Sequence, residues 1–222
     1  MSKRWYQEHK REHYYKSAKK RGYRSRSAYK LKQINKRFSI ISTGNTVVDL
    51  GAAPGGWSQV SLELVGENGK VVGIDLDYIS PIEGAVFIRG DMLSPMVVEK
   101  VIGEISHVDV VISDMSPNIS GIYSLDQARS YELAICTLEF AKKVLRNGGR
   151  MVTKIFEGED FNLFLSEAKK HFSFVKPYSP PASRNKSSEM YVVCKGGRNT
   201  SSKQNPKRHI QKEITAASPP RQ

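Results

Sequence analysis

Between residues 46 and 195 the chain alternates two hydrophobic rhythms. Short runs rich in Val and Ile, TVVDL (46–50), KVVGID (70–75), AVFI (85–88), HVDVVISD (107–114) and GRMVTKI (149–155), are each bounded by Gly, Pro, Ser or Asp. Runs this short, β-branched and apolar on both sides predict strands buried on both faces of a sheet. Longer stretches suited to helices, 57–66, 95–103 and 126–146, lie between most of them. Strands alternating with helices predict an α/β fold, a parallel sheet covered on both sides. A helix over 160–171 and two further strands, SFVKPY (173–178) and EMYVVCK (189–195), complete the pattern. Upstream, AYKLKQINKRF predicts a helix with Ser25 or Ser27 placed to cap it. In that helix Tyr29, Ile34 and Phe38 share a buried side while Lys32, Lys36 and Arg37 face water. The sequence contains no internal repeat.

Composition narrows the class. At 222 residues and 39% hydrophobic, the chain can bury one good core and carry extensions. No apolar run reaches the roughly 18 residues a membrane helix needs, so no span is expected. The N-terminus, MSKRWYQEHKREHYYK, lacks the apolar segment of a secretion signal. Two cysteines, Cys136 and Cys194, cannot build a disulfide framework or a four-thiolate zinc site, which fits a reducing cytoplasm. The five His lack metal-ligand spacing, with His9, His13 and His209 in basic segments, so no metal is expected.

Charge placement changes the picture more than the total of +13. Residues 1–37 carry 14 Lys+Arg against 2 Asp+Glu, a local net of +12, and residues 196–222 carry 6 against 1. The segment 38–195 holds 15 basic and 19 acidic residues. The expected organisation is therefore a basic helical extension (1–37), a folded domain (38–195) and a basic tail (196–222) that is disordered when alone. Such flanks point to a polyanion, by default nucleic acid. Trp5, Tyr6, Tyr14, Tyr15, Tyr23 and Tyr29 interleave the cations, which suits base or ribose stacking beside phosphates. Several of these rings could instead anchor the N-terminal helices. A monomer is expected.

The first strand runs directly into GAAPGGWSQ and a helix. In open α/β sheets ligands bind at the carboxyl ends of the strands, so this loop marks the place to look. Its G-x-x-x-G-G spacing (Gly51, Gly55, Gly56) matches neither the dinucleotide G-x-G-x-x-G nor the phosphate loop G-x-x-x-x-G-K-[ST]. Three carboxylates raise its value: Asp75 closes the second strand, Asp91 the FIRGD unit and Asp114 the fourth strand. Together they suit a ligand with a ribose, an adenine and a positive charge but little phosphate, and S-adenosylmethionine is such a ligand. Helix or turn capping explains one of these Asp easily and all three poorly.

DLGAAPGGWSQ, with RSAYKL upstream and SDMSPN, VTKIF and SSEMYVV downstream, resembles the FtsJ/RrmJ family of RNA ribose 2′-O-methyltransferases. The similarity runs from about residue 24 to 195 in five ordered motifs. It implies a Rossmann-like sheet of seven strands with the last antiparallel, S-adenosyl-L-methionine as methyl donor and RNA as acceptor. Transferred residue by residue, it implies cofactor contacts at Gly55, Trp57, Asp75, Asp91 and Asp114, and a catalytic Lys-Asp-Lys-Glu set at Lys30, Asp114, Lys154 and Glu189.

The chemistry of these residues agrees with that assignment. A ribose 2′-hydroxyl needs a proton acceptor, and Lys154, inside the apolar run MVTKIF, is costly there unless paired or deprotonated. An unperturbed Lys, with pKa ~10.4, is protonated at neutral pH; burial and a second cation, for which Lys30 is placed, would lower it. Asp114 would steady Lys154 but stabilises its ammonium form, so residue chemistry alone leaves catalysis and a structural ion pair equal. Glu189 could pair with Lys30 or orient the ribose. The resemblance favours catalysis.

Other readings fit less well. Base C5 methylation needs a nucleophilic Cys, and both Cys here suit core packing. Amino-nitrogen methylation needs an aromatic residue in the Asp114-Met115-Ser116-Pro117 motif, which is absent. A nicotinamide oxidoreductase would want G-x-G-x-x-G, and a non-catalytic RNA-binding ribosome-assembly factor would not need the full catalytic set. Among acceptors, the resemblance is nearest to the branch that modifies a uridine ribose of large-subunit ribosomal RNA, free or in the 50S particle. GAAPGGWSQ differs from the CAAPGSWSQ common in the branch that modifies the anticodon loop of transfer RNA.

Overall fold

Strands β1 (Thr46–Leu50) and β4 (Val108–Ser113) are buried at every position, as continuous apolar runs dictate when both sheet faces are covered. The computed structural model describes residue 14 and residues 16–105, 107–183 and 188–198. Residues 1–13 and 15 of the expected basic arm and residues 199–222 of the tail lie outside the described residues. Around β1 and β4 the sheet adds β2 (Lys70–Asp75), β3 (Ala85–Arg89), β5 (Leu145–Phe156), β6 (Phe172–Tyr178) and β7 (Glu189–Gly197). The strand order is β3-β2-β1-β4-β5-β7-β6. Only β7 runs against its neighbours, pairing antiparallel with both β5 and β6. The seven-stranded Rossmann-like architecture and its antiparallel last strand are both present.

Flanking it are the helices α1 (Ala28–Phe38), α2 (Gly56–Val65), α3 (Pro95–Glu104), α4 (Tyr123–Val144) and α5 (Phe161–His171), and residues 16–20 are helical as well. One face packs Leu138, Phe140 and Phe164 against Leu50, Met151 and Val192. The other packs Leu31 and Ile34 of α1 and Trp57 and Val60 of α2 against Val47, Val110, Val152 and Tyr191. Leu31 and Ile34 are 0% exposed, and burial on this scale stabilises by about 1.5–3 kcal/mol per side chain. The basic N-terminal run thus ends in a helix that belongs to the core.

Element ends differ from the sequence pattern where local chemistry extends them. β5 begins at Leu145, which pairs with Val108 before a register shift carries the strand past Gly148 and Gly149. Helix α4 begins at Tyr123 because Asp126, in its first turn, accepts hydrogen bonds from the N–H groups of Ser120 and Gly121. Ser27 occupies the N-cap position of α1 without capping it; its hydroxyl lies 2.8 Å from that of Ser25. Lys30 and Leu31 join Ile34 and Phe38 on the buried side, and Tyr29 is only half-buried. No helix among the described residues is long and apolar enough to cross a membrane. Strand order reverses between β1 and β4, and the carboxyl ends of β1, β2, β4 and β5 open on one crevice there.

Candidate active site

The glycine-rich turn leaves β1 and starts α2. Gly55 sits at φ +108°, a conformation closed to residues with a β-carbon. At Gly56 a β-carbon would fall 2.1 Å from Ser25 Oγ, so only glycine lets the segment before α1 cross the loop this closely. That segment is tied down at several points. The Arg24 guanidinium donates to the carbonyls of Pro54, Ser80 (2.5 Å) and Pro81 (2.8 Å), its backbone N–H donates to Gln59 Oε1, and the Trp57 indole N–H donates to the Ser27 carbonyl at 2.9 Å. The result is a small polar cavity of about 40 Å³ bounded by Ser25, Ser27, Asp49, Gly51–Ala53, Gly56, Trp57 and Asp114. The cavity is lined by Gly56 and Trp57 of the first turn of α2, and a helix N-terminus suits an anionic group.

Asp75 sits beside the cavity with its carboxylate tied to backbone: Oδ2 accepts the Ala53 N–H at 2.8 Å and Oδ1 the Asp77 N–H at 2.9 Å. It therefore shapes the glycine loop, and each oxygen keeps a second lone pair for a ligand hydroxyl. Asp91, at the exposed edge, accepts the Leu93 N–H in a local turn. Asp49 is 1% exposed on β1 and accepts the Ser58 hydroxyl at 2.7 Å. Burial pushes its carboxyl up to about 7, and the charges of Asp114 and Asp75 add to the rise.

Next to this cavity β4, β5 and β7 bring the second group together. Ser113 pairs with Thr153, Lys154 with Tyr191 and Phe156 with Glu189. Asp114, Lys154, Glu189 and Tyr191 thus converge on the side where α1 delivers Lys30. Lys154 Nζ donates to Asp114 Oδ1 at 3.1 Å and to the Asp114 carbonyl at 2.5 Å. Lys30 forms a short ion pair with Glu189 and donates to the Tyr191 hydroxyl at 3.0 Å. The Tyr191 hydroxyl lies within hydrogen-bond reach of both Asp114 Oδ1 (2.5 Å) and Glu189 Oε1 (3.0 Å). Burial would raise the Asp114 pKa; the ammonium groups of Lys154 and Lys30 outweigh it, with hydrogen bonds from Tyr191 and Lys154, and hold the carboxyl below its ordinary value. Burial and the two carboxylates push the Tyr191 phenol well up, so it stays a donor.

All four residues of the expected catalytic set therefore meet. Of the two roles open to Glu189, pairing with Lys30 is the one seen. Trp57, expected at the cofactor, turns its ring into the core and stacks on Tyr191 with centroids 5.7 Å apart, leaving mainly its backbone for a ligand. Cys194 is fully buried and burial pushes its thiol up; Cys136 is half-buried on α4. No group of three or more potential metal ligands occurs among the described residues.

Residues 23–197, which contain both the glycine loop and the Lys-Asp-Lys-Glu cluster, match the FtsJ-like methyltransferase family. The chain belongs to that family. Proteins called ribosomal RNA large subunit methyltransferase E are 53% identical over 83% of this chain in Methanothrix thermoacetophila and 50% identical over 87% in Methanobrevibacter smithii, covering 72% and 93% of those proteins. A ribosomal RNA methyltransferase structure from Plasmodium falciparum shares 29% identity and a TM-score of 0.72, covering 79% of this chain and 100% of the other. Aeropyrum pernix fibrillarin, solved with natively bound S-adenosyl-L-methionine, shares the fold at 17% identity and a TM-score of 0.51, with 70% of this chain and 68% of that one covered.

Within this family fold, sequence reading missed Tyr191, the hydroxyl through which Lys30, Asp114 and Glu189 communicate. A signal was available: on a strand, Glu189 and Tyr191 lie two apart and so share a face. It also missed Asp49, whose neighbours in the apolar run TVVDL gave no sign of a buried carboxyl bonded to Ser58. Arg24 read as one more cation of the basic arm, although it stitches that arm to the glycine loop.

Proposed function

We propose that the chain methylates a ribose 2′-hydroxyl of large-subunit ribosomal RNA, with S-adenosyl-L-methionine as donor. The carrying observation is the meeting of Lys30, Asp114, Lys154 and Glu189 beside the glycine-loop cavity. The residues in and around that small cavity suit parts of the donor: the α2 N-terminus its carboxylate, Asp114 its ammonium or sulfonium charge, and the neighbouring Asp75 its ribose hydroxyls, with Asp91 toward the adenine. When bound, the donor supplies a methyl group on a positively charged sulfur.

Lys154 takes the 2′-hydroxyl proton as the oxygen forms its new bond to the methyl carbon, while the carbon–sulfur bond breaks and its electron pair stays on sulfur. In its neutral form the amine spends its two N–H bonds on the Asp114 carbonyl and Oδ1, which leaves the lone pair for the substrate proton. Asp114 fixes this orientation and keeps its negative charge beside the donor's positive end. Lys30, paired with Glu189 and hydrogen-bonded to Tyr191, helps keep Asp114 ionised. The relatives' names support the ribosomal acceptor. The basic run of residues 1–37 supplies phosphate contacts, and binding should weaken steeply with salt. A cytoplasmic monomer completes the reading.

The test is transfer of labelled methyl from S-adenosylmethionine to large ribosomal subunits and to transfer RNA, with nucleoside analysis of the product, for wild type and Lys154→Ala. Label on a 2′-O-methyl ribose of the large subunit, lost in the variant, is the expected result. Label on transfer RNA would change the acceptor, label on a base would overturn the chemistry, and undiminished transfer by Lys154→Ala would remove Lys154 as base.

A further inference from the structure

Beyond the catalytic cluster, the loop between β4 and α4 holds Ile119, Ile122 and Tyr123 out in water at 64%, 59% and 66% exposure. Large apolar side chains held together in solvent forgo burial worth roughly 25 cal/mol per Å². The loop that carries them is nonetheless pinned. Asp126, itself 7% exposed, accepts from the Ser120 N–H (2.8 Å), the Ser120 hydroxyl (2.7 Å) and the Gly121 N–H (3.2 Å), and the Ile122 N–H donates back to Ser120 Oγ at 3.1 Å.

The Tyr123 ring is tethered at its far end too. Its hydroxyl donates to the Glu157 carbonyl at 3.3 Å, which also accepts from Gln127 Nε2 at 2.7 Å. Glu157 follows β5 directly and lies three residues beyond Lys154, a span of about 10 Å along an extended chain. The ring is therefore tethered by its hydroxyl to the chain just beyond the strand that carries Lys154, while two thirds of the residue stays exposed. Among the described residues the other exposed aromatic rings sit elsewhere: Tyr78 follows β2 on the cofactor side, and Phe174 on edge strand β6 lies under Lys195 and against Phe38.

We propose that Tyr123, flanked by Ile122 and Ile119, is the platform on which the nucleobase of the acceptor nucleotide stacks while its ribose reaches Lys154. This rests on the RNA-ribose reading above. A held aromatic face binds any base by stacking, with little readout of sequence, and an aliphatic rim excludes water around it. The loop thus orients the sugar without touching the reacting atoms.

The test measures methyl transfer to large ribosomal subunits and to naked ribosomal RNA for wild type, Tyr123→Ala, Tyr123→Phe and, as an exposed apolar control on α5, Leu163→Ala. Tyr123→Ala should raise KM for RNA about tenfold, the scale of one lost stacking contact, with S-adenosylmethionine affinity unchanged. Tyr123→Phe should restore most of that loss, and Leu163→Ala should leave KM unaltered. RNA carrying 4-thiouridine should photo-crosslink within residues 119–123. Unchanged KM in Tyr123→Ala, with crosslinks elsewhere, overturns the platform while the enzyme reading stands. A defect on particles but not on naked RNA makes the patch a protein-docking surface and overturns it as well. Failure of wild type to methylate any RNA ribose removes both readings.

Discussion

Asp49 and Asp114 stand at the ends of neighbouring strands, both largely withdrawn from water, and the fold sets them to opposite ionisation. Asp49 has one hydroxyl partner and two carboxylate neighbours, so burial pushes it up to about 7. Asp114 suffers the same burial, but Lys154, Lys30 and Tyr191 surround it and hold it below its ordinary value. Burial raises a carboxyl pKa; only nearby cations and donors reverse the sign. The crevice thus has a glycine-lined end, where carboxylates lie together without a cation, and an end where Lys30, Lys154, Asp114 and Glu189 are packed and paired.

The strongest way to break this division is Lys154→Ala. Loss of the base should cut the single-turnover rate by about 10²–10⁴-fold, with cofactor affinity by calorimetry within about threefold of wild type. Joint loss of both would show that the two ends act as one. Tyr191→Phe comes next. It removes the hydroxyl shared by Lys30, Asp114 and Glu189, and a roughly tenfold fall in rate is expected, equivalent to about 1.4 kcal/mol, again with little change in cofactor binding.

Gly56→Ala should show the reverse signature. Its β-carbon would meet Ser25 Oγ at 2.1 Å, and overpacking of this kind costs about 1–3 kcal/mol. A lower melting temperature and weaker S-adenosylmethionine binding are expected, with the rate at saturating cofactor changed least.

The smallest effect sharpens the comparison instead of breaking it. Folded Asp49 keeps a proton that the unfolded chain releases above about pH 4, so its contribution to stability falls as pH rises from about 4 to about 7. Asp114 has the opposite sign: its contribution is present above the unfolded pKa and is lost as acid protonates it. Asp49→Asn keeps an acceptor for Ser58 and removes the titration. The variant should melt above wild type at pH 8, with the gap closing toward pH 4 in a series of thermal melts.

Much of this arrangement was legible in the chain. The Val/Ile runs and the helices between them pointed to the α/β class, because burial on two faces makes strands predominantly apolar, with the few polar exceptions such as Asp49 and Asp109 held by specific partners. The glycine spacing and the strand-end Asp residues located the crevice, since a tight turn and a ligand-facing carboxylate are local requirements. Asp75 shows the limit of such reading: its position was clear, but its bonds to Ala53 and Asp77 depend on how the turn closes.

What tertiary structure alone decided is who meets whom. Lys30 and Glu189 stand 159 residues apart, and no periodicity relates a helix before β1 to the first residue of β7. Their pairing arises because β7 inserts antiparallel beside β5 and α1 packs across that face, which places Tyr191 opposite Lys154 and under Lys30. Trp57 stacks inward on Tyr191 for the same reason. The chain by itself determined the elements, the turn and the residue types, because these answer to local sterics and periodicity. The ionisation states and partners of buried charges answer to what lies across space, and that only the folded sheet supplies.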